Sequence, residues 1–400
     1  MEKTERKEIE GRLVCTACSC LCDDIVAGEK IYHACRKGYS LIRGEREENS
    51  VKGERCSFEE ALKACVEMFS KAKRPLIFGL DNVSCETQEL AIKLARECGA
   101  IVADHSTLSS GKLIEIAMRR KHPTLEEFRD TGYVSFYWGS NPHNGIPRHL
   151  SRFTYYPRSG KRQRGYEEDR FLVVADVRKS ETAKIAEKSK SGLFIKVNND
   201  QELVSSILLA TEGKAGKYVE AARVLKEMEK AELNAIFGGS GLYFGLRHDI
   251  GQFEEMLDRL KDLNVHFIPA NTKANMRGFV ELMLKEAGSL CYDFGEDAEC
   301  SLKDAFSRCD MILVVGADPL RTLPISLSGR LSEKEVVLVN SLKSITGKIC
   351  KSVRVKVAPE LSCFSGGSMV RSDGVKVRLS EVEKEGTGRD EDVMRALLEV

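Results

Sequence analysis

The sequence predicts an α/β protein with doubly wound parallel sheets, preceded by a small N-terminal domain rich in cysteine. Short apolar runs of Val, Ile and Phe recur from residue 74 onward, and helical stretches such as 217–232 and 248–263 lie between them. Such alternation of strand and helix patterns is typical of parallel sheets covered by helices. Five of the fourteen cysteines lie within residues 15–35, ahead of the first apolar run.

The composition sets the size of the core and limits the classes of partner. The chain has 400 residues, 42% of them hydrophobic, which is enough for one large or two ordinary domains. Its 62 Lys and Arg residues balance 61 Asp and Glu residues, so the formal net charge is +1. This balance argues against nucleic acid or an anionic membrane as the partner.

The chain also lacks the usual targeting patterns. The first residues, "MEKTERKEIEGRL", are charged and contain no apolar segment of the kind that a signal peptide carries. No apolar run reaches the roughly 18 residues that a membrane-spanning helix needs. We therefore expect a cytoplasmic protein that has no membrane partner.

The N-terminal cysteines have the spacing of a metal site. Cys15, Cys18 and Cys22 follow a C-x2-C-x3-C pattern, and Cys35 lies twelve residues further on. Four thiolates bind zinc or an iron–sulfur cluster. A zinc ribbon brings two close pairs, whereas three close ligands and one distant ligand favour a [4Fe–4S] cluster. Cys20 is a possible alternative ligand, and the polar neighbours of these cysteines argue against simple core packing.

The other nine cysteines sit mostly in apolar or helical patterns and are best interpreted as small buried hydrophobic side chains. They are Cys56, Cys65, Cys85, Cys98, Cys291, Cys300, Cys309, Cys350 and Cys363.

Eight apolar runs are predicted to be strands because they are short and rich in Val, Ile and Phe. These runs are 75–80, 99–104, 133–139, 171–177, 234–239, 265–270, 311–319 and 336–340.

Several of these strands end in Gly, Asn or Asp, in the loops "WGSNP" (138–142), "ADVRKSETA" (175–183), "FGGSG" (237–241) and "VVGADP" (314–319). Ligands of parallel α/β sheets bind beyond the carboxyl ends of the strands. Loops of this kind are Gly- and Asp-rich in any case, but four of them favour a long ligand with several phosphates. No G-x-G-x-x-G or G-x4-G-K-[ST] motif is present, so a standard Rossmann or P-loop site is not indicated.

Two basic features allow more than one interpretation. Residues 147–170 combine Arg and Lys with Tyr and Phe, which fits a surface loop, a wall that contacts an anionic cofactor or partner, or a nucleic-acid site. The neutral overall charge ranks nucleic acid last. Lys37, in "CRKG", is either a solvated side chain or a cation beside an anionic cluster, and its spacing alone favours the first interpretation.

The motifs together resemble the molybdopterin oxidoreductase superfamily, and in particular the B-type subunits of formylmethanofuran dehydrogenase. The resemblance extends over nearly the whole chain, through "CTACSCLCDDIV", "KRPLIFG", "YWGSNPHNGIPRHLSRF", "ADVRKSETAKIA" and "GADPLRTLP". The segment from Asn141 to Arg152, N-P-x4-P-R-H-x-S-R, weighs most because it is specific to that kind of subunit.

The resemblance implies a fold and a set of cofactors. A [4Fe–4S] cluster would be held by Cys15, Cys18, Cys22 and Cys35, and Lys37 would lie on the electron path from this cluster to a pterin. The second cofactor would be tungsten- or molybdenum-bis(molybdopterin guanine dinucleotide), contacted by Gly139, Asn141, Asp176, Arg178, Gly316 and Asp318.

The resemblance also implies a domain organisation. We expect an iron–sulfur domain over 1–55 and a molybdopterin-binding α/β region over 56–400. The latter would contain two interleaved domains, one centred on 75–180 together with the C-terminal part and the other on 190–300.

The implied reaction is the two-electron reduction of CO2 to formate, or its reverse, within a complex of several subunits. The expected partners are a subunit that completes the pterin site, an amidohydrolase-like subunit that condenses formate with methanofuran, and iron–sulfur subunits that carry electrons.

One position departs from the family pattern. The family places a metal-ligating Cys or selenocysteine, then His and Gly, in the stretch that aligns with "HSTLSSGK", where this chain has Ser109, Ser110 and Gly111. Serinate is a harder ligand than thiolate, and the lost His removes a candidate proton donor. Three interpretations follow: a working dehydrogenase subunit with Ser109 as ligand or with no protein ligand, a divergent oxidoreductase with another substrate, and a non-catalytic structural paralogue.

Overall fold

A computed structural model describes residues 11–166, 168–382 and 388–399. The strands of these residues are β1 (Gly11–Leu13), β2 (Ile25–Ala27), β3 (Ile31–Tyr32), β4 (Ser50–Val51), β5 (Glu54–Arg55), β6 (Pro75–Gly79), β7 (Ile101–Ala103), β8 (Val134–Trp138), β9 (Phe171–Asp176), β10 (Gly192–Lys196), β11 (Asn234–Gly238), β12 (Val265–Pro269), β13 (Tyr292–Asp293), β14 (Ala298–Glu299), β15 (Met311–Val315), β16 (Glu335–Val339), β17 (Val353–Val357), β18 (Ser368–Val370) and β19 (Lys376–Arg378).

The helices are α1 (Arg36–Arg43), α2 (Phe58–Ser70), α3 (Cys85–Cys98), α4 (Gly111–Met118), α5 (Leu125–Thr131), α6 (Pro142–Gly145), α7 (Glu181–Lys188), α8 (Asp200–Thr211), α9 (Glu220–Met228), α10 (Ser240–Leu246), α11 (Gly251–Arg259), α12 (Met276–Ala287), α13 (Leu302–Arg308), α14 (Pro319–Thr322), α15 (Ile325–Ser328), α16 (Ile345–Ile349), α17 (Ser362–Ser365) and α18 (Asp390–Leu398). Short 3-10 turns cover His105–Leu108, Leu260–Leu263 and Gly329–Glu333, and a π-helical turn covers Leu150–Thr154.

The chain divides into two compact units. Unit 1 contains the described residues up to Leu108, Lys273–Arg371 and the described residues from Lys376 onward. Unit 2 contains Ser109–Thr272 and Ser372–Val375.

The sheet of unit 1 has nine strands in the order β14-β13-β7-β6-β15-β16-β17-β4-β5. Its centre, from β7 to β17, is parallel, and antiparallel strands flank it on both sides. The central strands are continuous apolar runs because both faces of a parallel sheet are covered, and every residue of β6 is buried. Helix α3 begins after Ser84, whose side chain accepts a hydrogen bond from the Thr87 amide, and ends at Gly99 with a left-handed backbone.

The sheet of unit 2 is entirely parallel, with the order β10-β9-β8-β11-β12. Alternate residues of β8 face opposite sides. Val134, Phe136 and Trp138 join the main core cluster of this unit, to which helices α4, α8, α9 and α11 contribute. Tyr137, on the other face, hydrogen-bonds to His149 near the π-helical turn at 2.6 Å. Every residue of β8 is buried, so both faces of this strand are covered.

The predicted α/β class with parallel sheets is confirmed. All eight predicted strands are present, and their starts and ends agree with the prediction to within one or two residues. The exception is the run 311–319, whose strand already ends at Val315. The strand pairings show how the predicted strands are divided between the two sheets. Strands β8 and β9 pair with the sheet of β11 and β12, not with the C-terminal part, and β13 and β14 pair with β7. Residues 50–55 form β4 and β5 at the edge of the unit 1 sheet. Among the described residues, no helix is long and apolar enough to cross a membrane.

Candidate functional site

The N-terminal cysteines lie in a tight loop between β1 and β2. The Cys15 amide donates a hydrogen bond to the Cys22 carbonyl at 2.8 Å, and the Leu21 amide donates to the Cys18 carbonyl at 3.2 Å. Leu21 has a left-handed backbone with φ of 40°. The loop thereby folds back on itself, and its four thiol-bearing residues, Cys20 included, are all buried.

The thiols of this loop are close to one another. The Cys20 thiol is fully buried and makes hydrogen bonds with the thiols of Cys18 and Cys22, and these bonds raise its pKa well above the ordinary value, with burial as a further cause. Burial likewise raises the pKa of Cys15, to which Cys18, Cys22 and Cys363 add a smaller electrostatic contribution. In the metal-free loop these groups are therefore neutral thiols that a bound metal would deprotonate.

Cys35 lies at the start of α1, and this helix contacts the cysteine loop. Cys35 is the N-cap residue of α1 and is half-buried. Gly38, in the first turn, is buried against Cys15: a Cβ at this glycine would lie 3.0 Å from the Cys15 Sγ. Lys37 lies in the same turn and is half-buried. The helix N-terminus and its lysine therefore carry positive charge in the turn that packs on Cys15.

The donor chemistry of this loop fits an iron–sulfur cluster, since clustered thiolates are the protein ligands of such clusters. Within the described ranges, no group of three or more His, Cys, Asp or Glu side chains is already arranged around a position for one metal ion. The [4Fe–4S] cluster therefore stays a prediction that rests on the spacing and burial of the thiols.

The predicted cofactor contacts after β8 are Gly139 and Asn141, and each of them connects loops of unit 2. Gly139 has φ of 57°, and a Cβ there would lie 2.1 Å from the Leu242 nitrogen, so the glycine allows the loops after β8 and β11 to touch. Asn141 donates from Nδ2 to Glu181 Oε2 at 2.9 Å and accepts from Thr182 Oγ1 at 2.7 Å. The side chain of Asn141 therefore ties the end of β8 to the start of α7.

The predicted cofactor contacts after β9, Asp176 and Arg178, differ in their surroundings. Asp176 is half-buried, and its Oδ1 accepts a hydrogen bond from the Arg178 amide at 3.3 Å. The Arg178 side chain is exposed. Of this pair, the arginine is the more exposed, at the carboxyl edge of the unit 2 sheet.

The predicted cofactor contacts after β15, in unit 1, are Gly316 and Asp318, and both accept hydrogen bonds from other parts of the protein. Gly316 has φ of 62°, and its carbonyl accepts from Asn82 Nδ2 at 3.0 Å. The Asp318 carboxylate accepts from the amides of Ile345 and Thr346, each at 2.9 Å, and thus orients the first turn of α16.

The serines that replace the expected Cys and His are both buried. Ser109 and Ser110 are each 4% exposed, and Ser110 directly precedes α4. The Ser110 carbonyl accepts the first bond of the helix, from the Ile114 amide at 3.0 Å. The structure therefore places Ser109 and Ser110 at the helix start in unit 2, shielded from solvent.

One cation of the basic segment 147–170 is buried within its own unit. The Arg170 side chain is buried and donates to the carbonyls of Gly132, Thr154 and Pro157 at 3.2, 2.8 and 3.1 Å. Burial lowers the pKa of Arg170 to about 10. Arg170 therefore links this segment to neighbouring loops, whereas Arg158, Lys161 and Arg164 are exposed.

Sequence reasoning missed a buried polar cluster in unit 1. Asp81 lies two residues after the end of β6, and Asp104 directly follows β7. They are 1% and 0% exposed and influence each other electrostatically. Lys273 Nζ lies 3.9 Å from Asp81 Oδ2. Burial, with Asp81 as a further cause, raises the pKa of Asp104 well above its usual range, and burial lowers the pKa of His105. An aspartate within two residues of the end of each of two adjacent buried strands, in "GLD" and "VAD", was the available signal.

Comparison with known proteins supports the resemblance drawn from the sequence. The chain is 28% identical to the B subunit of tungsten-containing formylmethanofuran dehydrogenase 2 from Methanococcus maripaludis, and the similarity covers 98% of each chain. It is 26% identical to the protein of the same name from Methanocaldococcus jannaschii, over 96% of this chain and 97% of that protein. No family model matches the chain.

Two solved structures share the fold. One is a chain of the formyltransferase/hydrolase complex from Methylorubrum extorquens, crystallised with methylofuran, with a TM-score of 0.66 and 16% identity over 88% of this chain and 98% of that one. The other is acetylene hydratase from Pelobacter acetylenicus, with a TM-score of 0.53 and 11% identity over 97% of this chain and 68% of that one. At these identities the likeness concerns the fold alone.

Proposed function

We propose that this chain is the B-type subunit of a formylmethanofuran dehydrogenase-like complex of one-carbon metabolism. The observation that carries this proposal is the end-to-end similarity to the B-type subunits of two tungsten-containing dehydrogenases. The reaction would be the two-electron reduction of CO2 to formate, or the reverse oxidation.

The first cofactor would be a [4Fe–4S] cluster, which supplies one-electron transfer when bound. Cys15, Cys18 and Cys22 would hold it from the loop after β1, and Cys35 from the start of α1. The buried surroundings of the three loop thiols support this assignment, because burial limits solvent access to the cluster. Lys37 would lie beside it in the first turn of the same helix.

The second cofactor would be tungsten- or molybdenum-bis(molybdopterin guanine dinucleotide), which supplies two-electron chemistry when bound. Arg178 is exposed at the carboxyl edge of the unit 2 sheet, where a guanidinium group would pair with a phosphate. Gly139 and Asn141 would support the cofactor site indirectly, because they hold the loops after β8, β9 and β11 in position relative to one another.

Ser109 would be the protein ligand of the metal. A serine hydroxyl is far less acidic than a thiol, and burial disfavours its charged form, so the start of α4 and the positive charge of a bound metal would have to favour deprotonation. Ser110 occupies the position of the missing His and is a poorer proton donor than imidazole.

The implied complex contains three further kinds of subunit. One would complete the pterin site, one would resemble an amidohydrolase and join formate to methanofuran, and iron–sulfur subunits would carry electrons. Within such a complex CO2 or formate is the small substrate, and neither nucleic acid nor membrane takes part.

Elemental analysis of the complex, purified anaerobically, tests the proposal. We expect iron together with one tungsten or molybdenum atom for each copy of this chain. Ser109→Ala should lower the tungsten or molybdenum content, while Ser205→Ala, on α8 of the same unit, should not. Unchanged metal content and activity in Ser109→Ala would rule out this serine as the ligand.

The iron ligands are tested separately, by iron content and electron paramagnetic resonance. Cys35→Ser should lose most of the cluster, whereas Cys20→Ser should keep it. The opposite result would assign the fourth ligand to Cys20, which already contacts Cys18 and Cys22. Cys98→Ser, at an exposed thiol on α3, is the matched control. Zinc alone in the purified protein would overturn the iron–sulfur assignment.

A non-catalytic structural subunit is the second candidate, and the replacement of the expected Cys and His by Ser109 and Ser110 favours it. The cysteine loop argues against it, because a scaffold needs no electron relay. Iron without tungsten or molybdenum would favour this candidate. A full metal complement without activity on formate or formylmethanofuran would instead favour a divergent oxidoreductase with another substrate.

A further inference from the structure

Two cysteines outside the proposed metal site face each other across a hairpin of unit 1. Strands β13 and β14 pair Tyr292 with Glu299 and Asp293 with Ala298. The same antiparallel register places Cys291 opposite Cys300, and the Cys300 amide donates to the Cys291 carbonyl at 3.1 Å. Their two Sγ atoms are 3.3 Å apart.

This geometry suits a disulfide without a change of backbone. Directly opposite residues that share a hydrogen bond in an antiparallel pair have Cα atoms about 5.5 Å apart. That separation lies within the range of about 4.4–6.8 Å that disulfides span. Both thiols are free in the structure, and their separation exceeds the bonded length of about 2.05 Å, so the pair is in its reduced form.

The two thiols have different surroundings. Cys291 is 2% exposed and belongs to a core cluster with Leu302 and Phe306. Cys300 is half-buried at the end of the hairpin. The hydrogen bond with Cys291 lowers the pKa of Cys300, whereas the same bond and burial raise the pKa of Cys291. Solvent access and thiolate character both therefore single out Cys300 as the thiol that reacts first.

We propose that Cys291 and Cys300 form a redox-active dithiol that low-molecular-weight disulfides convert to an intramolecular disulfide. The Cys300 thiolate attacks one sulfur of the small disulfide, breaks its S–S bond and releases one thiolate. Cys291 then loses its proton, attacks the Cys300 Sγ and releases the second thiolate. The protein loses two electrons and two protons, and the small disulfide is reduced to two thiols.

The modification would close the hairpin beside a central strand. Tyr292 and Asp293 pair with Val102 and Ile101 of β7, and Asp293 accepts a hydrogen bond from Arg74. A covalent link next to this pairing would hold the edge of the unit 1 sheet in place. The proposal does not depend on the proposed function, because none of its residues belongs to the cysteine loop or to the predicted pterin contacts.

Peptide mapping after anaerobic oxidation tests the proposal directly. Residues 286–303 contain both cysteines and no internal Lys or Arg, so trypsin releases them as one peptide. The full-length protein is equilibrated with glutathione and glutathione disulfide at several ratios, alkylated with N-ethylmaleimide under denaturing conditions and digested. We expect the peptide to change from doubly alkylated to unalkylated and lighter by two hydrogen atoms as the ratio becomes more oxidising.

Two substitutions and one internal control sharpen the result. Cys291→Ser should trap glutathione on Cys300, and Cys300→Ser should leave Cys291 alkylated at every ratio. The exposed Cys98 should acquire glutathione without forming an internal bond. The proposal fails if the peptide stays doubly alkylated while Cys98 is modified, or if Cys300 acquires glutathione in the wild-type protein and the second step does not follow. Circular dichroism verifies that each variant is folded.

Discussion

Gly139→Ala should destabilise unit 2 far more than an ordinary glycine substitution. Gly139 follows Trp138 at the end of β8, with φ of 57°. An alanine Cβ would lie 2.1 Å from the Leu242 nitrogen and 2.6 Å from the Gly241 carbonyl carbon. Both are backbone atoms, which no side-chain rotation can move aside.

The expected cost has two parts. A left-handed backbone costs a residue with a Cβ about 1 kcal/mol. Relief of the overlap requires the loops after β8 and β11 to separate by more than about 1 Å, since non-bonded contacts are ordinarily about 3.5 Å. This movement would break the bonds from the Gly241 amide to the Gly139 carbonyl, at 3.0 Å, and from the Gly239 amide to the Trp138 carbonyl, at 2.9 Å. At about 1 kcal/mol for each bond, the total loss is about 3 kcal/mol.

The chain provides its own probe and control. Trp138 is its only tryptophan and is buried, so its fluorescence during urea denaturation follows the unfolding of unit 2. Gly213→Ala is the matched control, because Gly213 has φ of 72° but nothing within 4 Å of its Cβ position. We expect a loss of about 1 kcal/mol there. Equal losses in the two variants would refute the argument from close backbone approach and restore the interpretation of Gly139 as a residue that admits a ligand.

Three further substitutions test other contacts. Arg74→Met leaves the buried Asp293 carboxylate with only the more distant Arg308 cation, at 3.7 Å, and should cost about 2–4 kcal/mol of unfolding free energy; a loss below about 1 kcal/mol would contradict this. Burial raises the pKa of Asp390 to about 7 from 3.8, so the folded protein binds this proton more tightly than the unfolded chain and loses stability as pH rises from 4 to 7. Asp390→Asn should remove that loss and stabilise the protein by up to about 4 kcal/mol at pH 8 but not at pH 4, and parallel stability curves for the two proteins would refute it. Asn141→Ala breaks two side-chain hydrogen bonds and should cost about 1–2 kcal/mol by Trp fluorescence, and an unchanged denaturation midpoint would show that those bonds are not needed.

The strand pattern was predictable because the central strands are buried on both faces. The run "FLVVAD" becomes β9, with five buried residues followed by a half-buried Asp176. Strands β10 and β17 were not predicted, since their residues are only partly buried and include exposed Lys196 and Arg354. Partial exposure permits polar residues, which removes the apolar run on which the prediction depends.

The candidate site was predictable as a set of loops, but the role of each residue in them was not. The spacing of Cys15, Cys18 and Cys22 indicated a shared site, and the folded loop does bury these thiols together. Gly139 and Asp318 are of residue types that often contact ligands. In the structure, however, they contact backbone groups of neighbouring loops. The sequence gives the residue type at the end of a strand. The group that this residue contacts depends on which strand is its neighbour in the sheet.

Local patterns of hydrophobicity and spacing were enough to predict the α/β class, eight of the strands and the cysteine loop, and the quoted motifs carried the resemblance to the B-type subunits of formylmethanofuran dehydrogenase. The folded chain was needed to learn which strands share a sheet, that Asp81 and Asp104 are buried as neighbours, and that Cys291 opposes Cys300. Each of these depends on hydrogen-bond register or on contacts between segments distant in the chain, which local sequence patterns do not specify.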